Sequence, residues 1–184
     1  MASFSDRVVR AAKLDVTLYE EVERDREAIG QAMCVVVLSS VAAGIGSINV
    51  LNIGIQGMLL RSVSALFGWF VWAWLTYFIG SRLLPEPQTE ADVGELLRTI
   101  GFSSAPGLIR VLGIIPGTAQ IVFFVAAVWM LVAMVIAVRQ ALDYTSTLRA
   151  VGVCLIGWMI QLFLLMILLS IVRTDAPVGG MITH

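Results

Sequence analysis

The stretch GFSSAPGLIRVLGIIPG, residues Gly101 to Gly117, decides how this chain folds. It is apolar enough to lie within a membrane, yet it contains four glycines, two prolines and Arg110. Lipid cannot pair the backbone groups that such residues free, so broken backbone at membrane depth must be covered by protein or water. A charged side chain at the centre of a spanning helix costs at least ~2.5 kcal/mol. The stretch therefore predicts a membrane protein with one irregular, protein-covered element.

Several positions in and beside this stretch are candidate functional or structural residues. They are the helix-breaking residues, the arginine and a glutamine that follows: Gly101, Pro106, Gly107, Arg110, Pro116, Gly117 and Gln120. Two interpretations of Arg110 stay open. It lines a cavity or a polar network between helices, or its long side chain snorkels to the lipid headgroups.

The composition supports a membrane protein. The chain has 184 residues, of which 59% are hydrophobic and 14% charged, and its mean hydropathy is +0.92. Soluble domains carry about 25% charged residues. The net charge of −1 excludes the basic surface of a nucleic-acid-binding protein.

Uncharged runs predict an all-α membrane protein, a bundle of five transmembrane helices of which the third is kinked or broken. The expected spans are 28–47, 62–81, 96–114, 118–138 and 150–172, within a transmembrane domain 28–174 that is followed by a short tail, 175–184. The third span is the doubtful one, because its uncharged part, 99–109, is too short to cross alone. A re-entrant segment is the alternative.

The distribution of Lys and Arg favours five crossings. With five spans, nine of these residues fall on the side of the N-terminus and three on the other side. With a re-entrant third segment the division is seven against five. The positive-inside rule then predicts a cytoplasmic N-terminus and an outside C-terminus in a prokaryotic cytoplasmic membrane.

The N-terminal segment, 1–27, is predicted to be amphipathic and helical. Val9, Val16, Tyr19 and Val22 recur at helical spacing, and Ser3–Asp6 and Thr17–Glu20 are typical of helix starts. One interpretation is a surface that binds a partner through these four residues. The other is a pair of helices that only covers the bundle.

The residue types needed for most catalysis are missing from the apolar runs. The single histidine is His184, and no carboxylate lies in an expected span, so we expect no metal site and no cofactor. The pair Ser103–Ser104 has no His or Lys nearby in the membrane to accept a proton. We therefore expect a protein that is not an enzyme.

Two segments carry a family resemblance, Glu95 to Gly107 (ELLRTIGFSSAPG) and Arg139 to Asp143 (RQALD). With them the chain resembles the Yip domain family of Ypt-interacting, Yip/Yif-type integral membrane proteins in its prokaryotic form, over nearly its whole length. The resemblance implies five spans, a cytosolic N-terminus and no catalysis, and it adds Arg139 and Asp143 to the candidate residues. Eukaryotic members bind small GTPases, but their Asp-Leu-Tyr-Gly-Pro signature is reduced here to Leu18–Tyr19, so GTPase binding is not expected.

The function expected from these observations is that of a non-enzymatic membrane scaffold or adaptor. Its N-terminal helices and the loops 82–98 and 139–149 would bind other membrane or cytosolic proteins, or a second copy of the chain, with lipids around it and no nucleic acid. The alternative is a small transporter or channel that uses the broken third helix and Arg110 as an anion or solute site. A third hypothesis, lipid handling, requires an apolar groove beside Gly101 to Gly107.

Overall fold

The computed structural model describes residues 3–48 and 55–174, and every regular element in them is helical. That part of the chain forms seven α-helices: α1 (Phe4–Ala12), α2 (Val16–Arg24), α3 (Ala28–Gly46), α4 (Ile55–Phe78), α5 (Val93–Phe102), α6 (Ala119–Ala141) and α7 (Thr147–Thr174). A π-helix, Ile79–Leu83, continues α4, and a 3-10 helix, Ala105–Ile114, follows α5. The expected tail 175–184 lies outside the described residues.

Four helices of the described chain are long and apolar enough to cross a membrane. They are Ala28–Gly46, Gln56–Leu83, Ala119–Ala141 and Thr147–Leu164. The expected third span, 96–114, is not among them, because the structure divides it into two shorter helices.

The division of the third span follows from Pro106. Proline has no N–H and clashes with a preceding α-helical turn, so α5 ends at Phe102 and the chain tightens. The N–H of Gly107 donates to the Ser104 carbonyl at 2.9 Å, an i→i+3 bond, at the start of the 3-10 helix. We call residues 93–114, which comprise α5 and the 3-10 helix, the third segment.

The third segment runs beside α3 in the same direction, and its residues from Leu96 to Gly107 are mostly buried. Glycines of the third segment allow a close approach to α3. Their contacts follow the same order along the segment and along α3: Gly101 lies against Ala32, Gly107 against Ser39, and Gly113 against Gly46. On another side the segment contacts α6 in the opposite direction, with Gly107 near Met130 and Gly113 near Phe123.

The helix α4 begins at Ile55, earlier than the expected start of the second span at residue 62. The expectation stopped at Arg61 because it was based on uncharged runs. An arginine near the end of a spanning helix can extend its charged group toward water, so it does not have to end the helix.

The N-terminal helices are attached to the bundle by Arg7. Its guanidinium is buried and donates from Nε to Glu21 at 2.9 Å and from Nη2 to Asp25 at 2.7 Å. A third bond, from Nη1 to Oε1 of Gln31 at 3.0 Å, reaches the first turns of α3. One side chain thus joins α1, α2 and α3.

A second arginine, Arg98 of α5, holds the end of α2. It is buried, and its Nε donates to the carbonyls of Val22 at 2.9 Å and Glu23 at 3.1 Å. The last carbonyls of a helix have no partner within it, and a cation there is favoured by the helix dipole. Arg98 therefore fixes α2 on the third segment.

One of the two predicted N-terminal helix starts is confirmed and the other is wrong. The Ser3 hydroxyl accepts a hydrogen bond from the Asp6 N–H at 3.2 Å, as expected for the start of α1. At α2 the capping residue is Asp15, whose carboxylate accepts from the Thr17 N–H at 3.0 Å. The aspartate also binds Arg10 at 2.8 Å, which favours it over Thr17 as the cap.

Candidate functional site

Arg110 lies in the 3-10 helix with neutral partners only. Its Nη2 donates to the Ser39 hydroxyl at 2.7 Å and its Nε to the Gly107 carbonyl at 3.1 Å. The side chain is half-buried, and no described carboxylate forms an ion pair with it. The positive charge of the guanidinium is therefore held in place without being neutralised by the described part of the protein.

Gly107 makes room for this arrangement. A Cβ at position 107 would overlap the Ser39 hydroxyl and lie 2.8 Å from Sδ of Met130. Because glycine has no side chain, α3, α6 and the third segment meet closely enough for the bond between Arg110 and Ser39 to form.

Arg110 lines a cavity of about 440 Å³, which we call the Arg110 cavity. Its polar lining consists of two arginines, three serines and a glutamine: Ser39, Ser40, Arg61, Ser104, Arg110 and Gln161. Aromatic and sulfur-containing side chains supply much of the remaining wall, namely Trp69, Trp72, Trp158, Met130 and Met134. The lining contains no Asp or Glu, so its formal charge is positive.

The Arg110 cavity opens between α4 and α7. The lining residues Arg61 and Gly68 of α4 and Trp158 and Gln161 of α7 are all exposed, whereas Ser39 and Ile100 at the opposite wall are buried. Since α4 and α7 are both candidate spans, this opening faces the region that a bilayer would occupy.

The structure brings some of the predicted candidate residues together and separates others. Gly101 packs on α3, with an added Cβ only 2.6 Å from that of Ala32, while Pro106 lies in the first turn of the 3-10 helix. Gly117 has a φ of +83° in the turn before α6, a conformation that favours glycine. Gln120 is exposed and is not among the residues that line the Arg110 cavity.

Pro116 is exposed in the same turn as Gly117.

The residues that complete the Arg110 cavity are harder to recognise in the sequence. Gln161 lies inside an apolar run, and one interpretation of such a polar residue places it in a network around Arg110, as the structure does. Arg61 lies at the edge of an apolar run, and this position does not indicate that it approaches Arg110. The serines of α3 carry no such signal, because hydroxyl groups are common in spanning helices.

Arg139 and Asp143 form the end of α6. Asp143 takes a left-handed φ of 52°, and the N–H groups of Asp143 and Tyr144 donate to Gln140 and Arg139, both at 2.9 Å. These two bonds are those of a Schellman motif. The Arg139 side chain adds a bond from Nε to the Tyr144 carbonyl at 3.2 Å, so this family-like segment holds the turn between α6 and α7.

The four residues considered for partner binding divide into two pairs. Val9 and Val16 are 49% and 42% exposed. Tyr19 and Val22 are fully buried in a core that includes Ala32 and Phe102, which leaves them unavailable to a partner in this conformation. Their helical periodicity came from packing on the protein's own bundle.

A second, polar cavity of about 310 Å³ lies beside the N-terminal helices and is lined by residues of α2, of the end of α6 and of the following turn. It contains Glu20, Glu23 and Asp143 with Arg24 and Arg139. Burial raises the pKa of Glu23 to about 7, and the nearby charges of Asp143 and Glu95 act in the same direction.

Glu23→Gln is expected to stabilise the protein at pH 8 and to have little effect near pH 5. The pKa of the Glu23 carboxyl is higher in the folded protein than the ordinary 4.5. The free energy of unfolding therefore decreases as pH rises from about 4.5 to 7, because ionisation of this carboxyl inside the fold is unfavourable. Allowing for partial exposure, the gain at pH 8 is about 1–2 kcal/mol. Thermal unfolding in detergent at both pH values measures it.

The exposed Glu27 provides the matched control, since Glu27→Gln changes the same chemical group in water. An equal effect of the two substitutions, or an effect of Glu23→Gln that does not depend on pH, would contradict this account of Glu23.

Comparison with known proteins agrees with the resemblance seen in the sequence. A family model described as the Yip1 domain matches residues 17–169, which is most of the chain. The match begins inside α2 and includes the third segment, the Arg110 cavity and the end of α6. No curated protein and no solved structure matches the chain.

Proposed function

The chain belongs to the Yip1 domain family, a family of membrane proteins, and from that premise we propose that it is a non-enzymatic membrane adaptor. It would bind partner proteins through the cytosolic ends of its helices, with α1 and α2 as the main contact surface. The observation that carries this proposal is the fixed attachment of α1 and α2 to the spans, with two apolar side chains left exposed on them.

The attachment makes a surface that is ordered before a partner arrives. Arg7 and Arg98 hold α1 and α2 to α3 and α5, and Gln140 of α6 adds a bond to Glu20 at 3.1 Å. A preordered surface avoids the entropy cost of ordering a segment on binding. A pair of helices that only covered the bundle would not need to expose Val9 and Val16. We call these two residues and the polar residues around them the α1–α2 surface.

The orientation of this surface rests on five crossings. The third segment consists of two ten-residue helices, which span ~15 Å as α-helix and ~20 Å as 3-10 helix, against ~30 Å for the bilayer core. Its direction beside α3, from Gly101 at Ala32 to Gly113 at Gly46, supports a full crossing over a re-entrant turn. With five crossings the positive-inside rule favours a cytoplasmic α1–α2 surface and an outside C-terminus.

Site-specific photo-crosslinking in living cells tests the adaptor proposal. A photoreactive phenylalanine at Val9 or Val16 is expected to give discrete adducts with another protein, because a partner would contact these exposed positions. The same group at Leu59, which is 63% exposed on α4, is the matched control on a lipid-facing surface. Adducts at Val9 and Val16 no different from those at Leu59, or only with a second copy of the chain, would contradict the proposal.

A second candidate function is favoured by the Arg110 cavity. A small transporter or channel would use the broken third segment and Arg110 as an anion or solute site, in the manner of transporters with interrupted helices. Anion flux into proteoliposomes, absent for an adaptor and sensitive to Arg110→Gln for a transporter, distinguishes the two functions.

A further inference from the structure

We propose that the Arg110 cavity binds the phosphate headgroup of an anionic phospholipid, which enters from the bilayer between α4 and α7. This inference goes beyond the adaptor proposal and does not depend on it. It assigns an occupant to a cavity that the transport candidate would also use.

The positive charge of the cavity lining favours the binding of an anion. Arg61 and Arg110 both line it, no carboxylate does, and the two described hydrogen bonds of the Arg110 side chain go to neutral oxygens. A guanidinium has five N–H donors, so Arg110 keeps donors beyond those two bonds. Arginine pairs well with phosphate through two parallel hydrogen bonds, and such a pair would offset the cost of a charged group at membrane depth.

Hydroxyl groups could complete a phosphate site. Ser40 and Ser104 line the cavity with Arg110, and the Ser40 hydroxyl lies 2.9 Å from that of Ser62 on α4. The Ser40 hydroxyl donates to the Val37 carbonyl at 2.9 Å, so the Ser104 hydroxyl is the one of the two that can donate to a phosphate oxygen. Ser39 acts differently, because it is buried and accepts a bond from Arg110, which positions the guanidinium.

The walls and the opening favour a lipid over a free phosphate ion. Three tryptophans and two methionines surround the polar groups, and side chains of this kind pack well on hydrocarbon. At about 440 Å³ the cavity has the size of a small-molecule site, enough for a headgroup and the upper part of a chain. The acyl chains would leave through the opening at Gly68 and Trp158, where these residues are exposed.

Gly68 offers a way to close the opening without disturbing the helix packing. It lines the cavity, and a Cβ at this position would meet nothing within 4 Å. A leucine at residue 68 would therefore extend into free space at the entrance. Arg61 is exposed on the same helix, so its substitution also leaves the core intact.

Native mass spectrometry of the full chain in mild detergent tests the proposal. Phosphatidylglycerol is expected to remain bound and to raise the unfolding temperature, whereas phosphatidylcholine at equal concentration is not. Arg61→Gln and Arg110→Gln are each expected to weaken phosphatidylglycerol binding about tenfold or more, the loss typical of one charge-assisted hydrogen bond. Gly68→Leu is expected to weaken it as well, because the leucine side chain would obstruct the entrance of the cavity. The matched control is Arg82→Gln, which removes an exposed arginine from the continuation of α4 outside the cavity.

Three results would overturn the proposal. Equal binding of phosphatidylcholine would remove the role of the headgroup charge. Inorganic phosphate that stabilises the protein as much as phosphatidylglycerol would replace the lipid by a free anion. Unchanged lipid binding in folded Arg61→Gln and Gly68→Leu proteins would place the lipid elsewhere. Crosslinking at Val9 and Val16 is independent of all three, so a failed adaptor proposal is recognised separately.

Discussion

Gly46→Val is expected to prevent the bundle from reaching its native packing. A Cβ at position 46 would overlap the carbonyl oxygen of Arg110, lie 2.9 Å from its carbonyl carbon and 3.2 Å from the Phe123 ring. Since the obstacle is backbone, no rotamer change can relieve it, and α3 would have to move away from the third segment. Overpacking costs 1–3 kcal/mol in ordinary cores, and we expect at least about 3 kcal/mol here.

Size-exclusion profiles and thermal unfolding in detergent measure this effect. The matched control is Gly30→Ala on the same helix, where an added Cβ meets nothing within 4 Å. Alanine is a better helix former than glycine by up to ~1 kcal/mol, so this substitution is expected to stabilise the protein slightly. A Gly46→Val protein that unfolds at the temperature of the native sequence would disprove the close packing of α3 on the third segment.

Arg7→Met is expected to release α1 from the bundle. The substitution removes the bonds from Arg7 to Glu21, Asp25 and Gln31. It leaves the Asp25 carboxylate without its ion pair, while Glu21 keeps its pair with Arg10 at 2.6 Å. Breaking a buried ion pair costs ~3–5 kcal/mol, and the partial exposure of Glu21 and Asp25 reduces this to about 2–4 kcal/mol. Hydrogen exchange of the α1 amides and limited proteolysis measure the release.

Lys13→Met is the matched control, because Lys13 is an exposed cation at the end of the same helix. We expect it to leave exchange in α1 unchanged. If both substitutions increased exchange equally, or neither did, the role given to the Arg7 contacts would be wrong.

The pH dependence of α1 attachment gives the same test a second measurement. The hydrogen bond from Arg7 lowers the pKa of Asp25 below its usual 3.8. A carboxyl with a lowered pKa contributes stability that is complete above the usual value and is lost as pH falls through the lowered one. The protection of the α1 amides, measured relative to the intrinsic exchange rate at each pH, should therefore decrease in acid in the native sequence, and the share due to Asp25 should be absent in Arg7→Met.

Much of the helical architecture could be predicted from uncharged runs. The expected first span, 28–47, compares with α3 at Ala28–Gly46, and the expected fourth, 118–138, with α6 at Ala119–Ala141. Both helices lie between charged or helix-breaking residues, which the sequence displays directly. At α4 the uncharged run does not give the start of the helix, which continues past Arg61 to Ile55. A single arginine near a helix end can reach water without ending the helix.

The fate of an amphipathic face could not be predicted in the same way. The periodicity of Tyr19 and Val22 indicates that one side of α2 is covered, but a membrane, a partner and the protein's own core all produce the same pattern. Only the placement of α2 over Phe102 of α5 decides between them. The Arg110 cavity could not be predicted from the sequence pattern either, because it forms where Arg61, Ser39 and Gln161 from three separate helices meet.

The contact between Arg98 and α2 also determines an order of events during synthesis. Arg98 donates to the carbonyls of Val22 and Glu23, which precede it by 76 and 75 positions. The helices α3 and α4 must leave the ribosome before this bond can form, so α2 is made well before its partner in α5. The α2 helix can reach its final packing only when the third segment has been made, and until then Tyr19 and Val22 lack the cover that Phe102 provides.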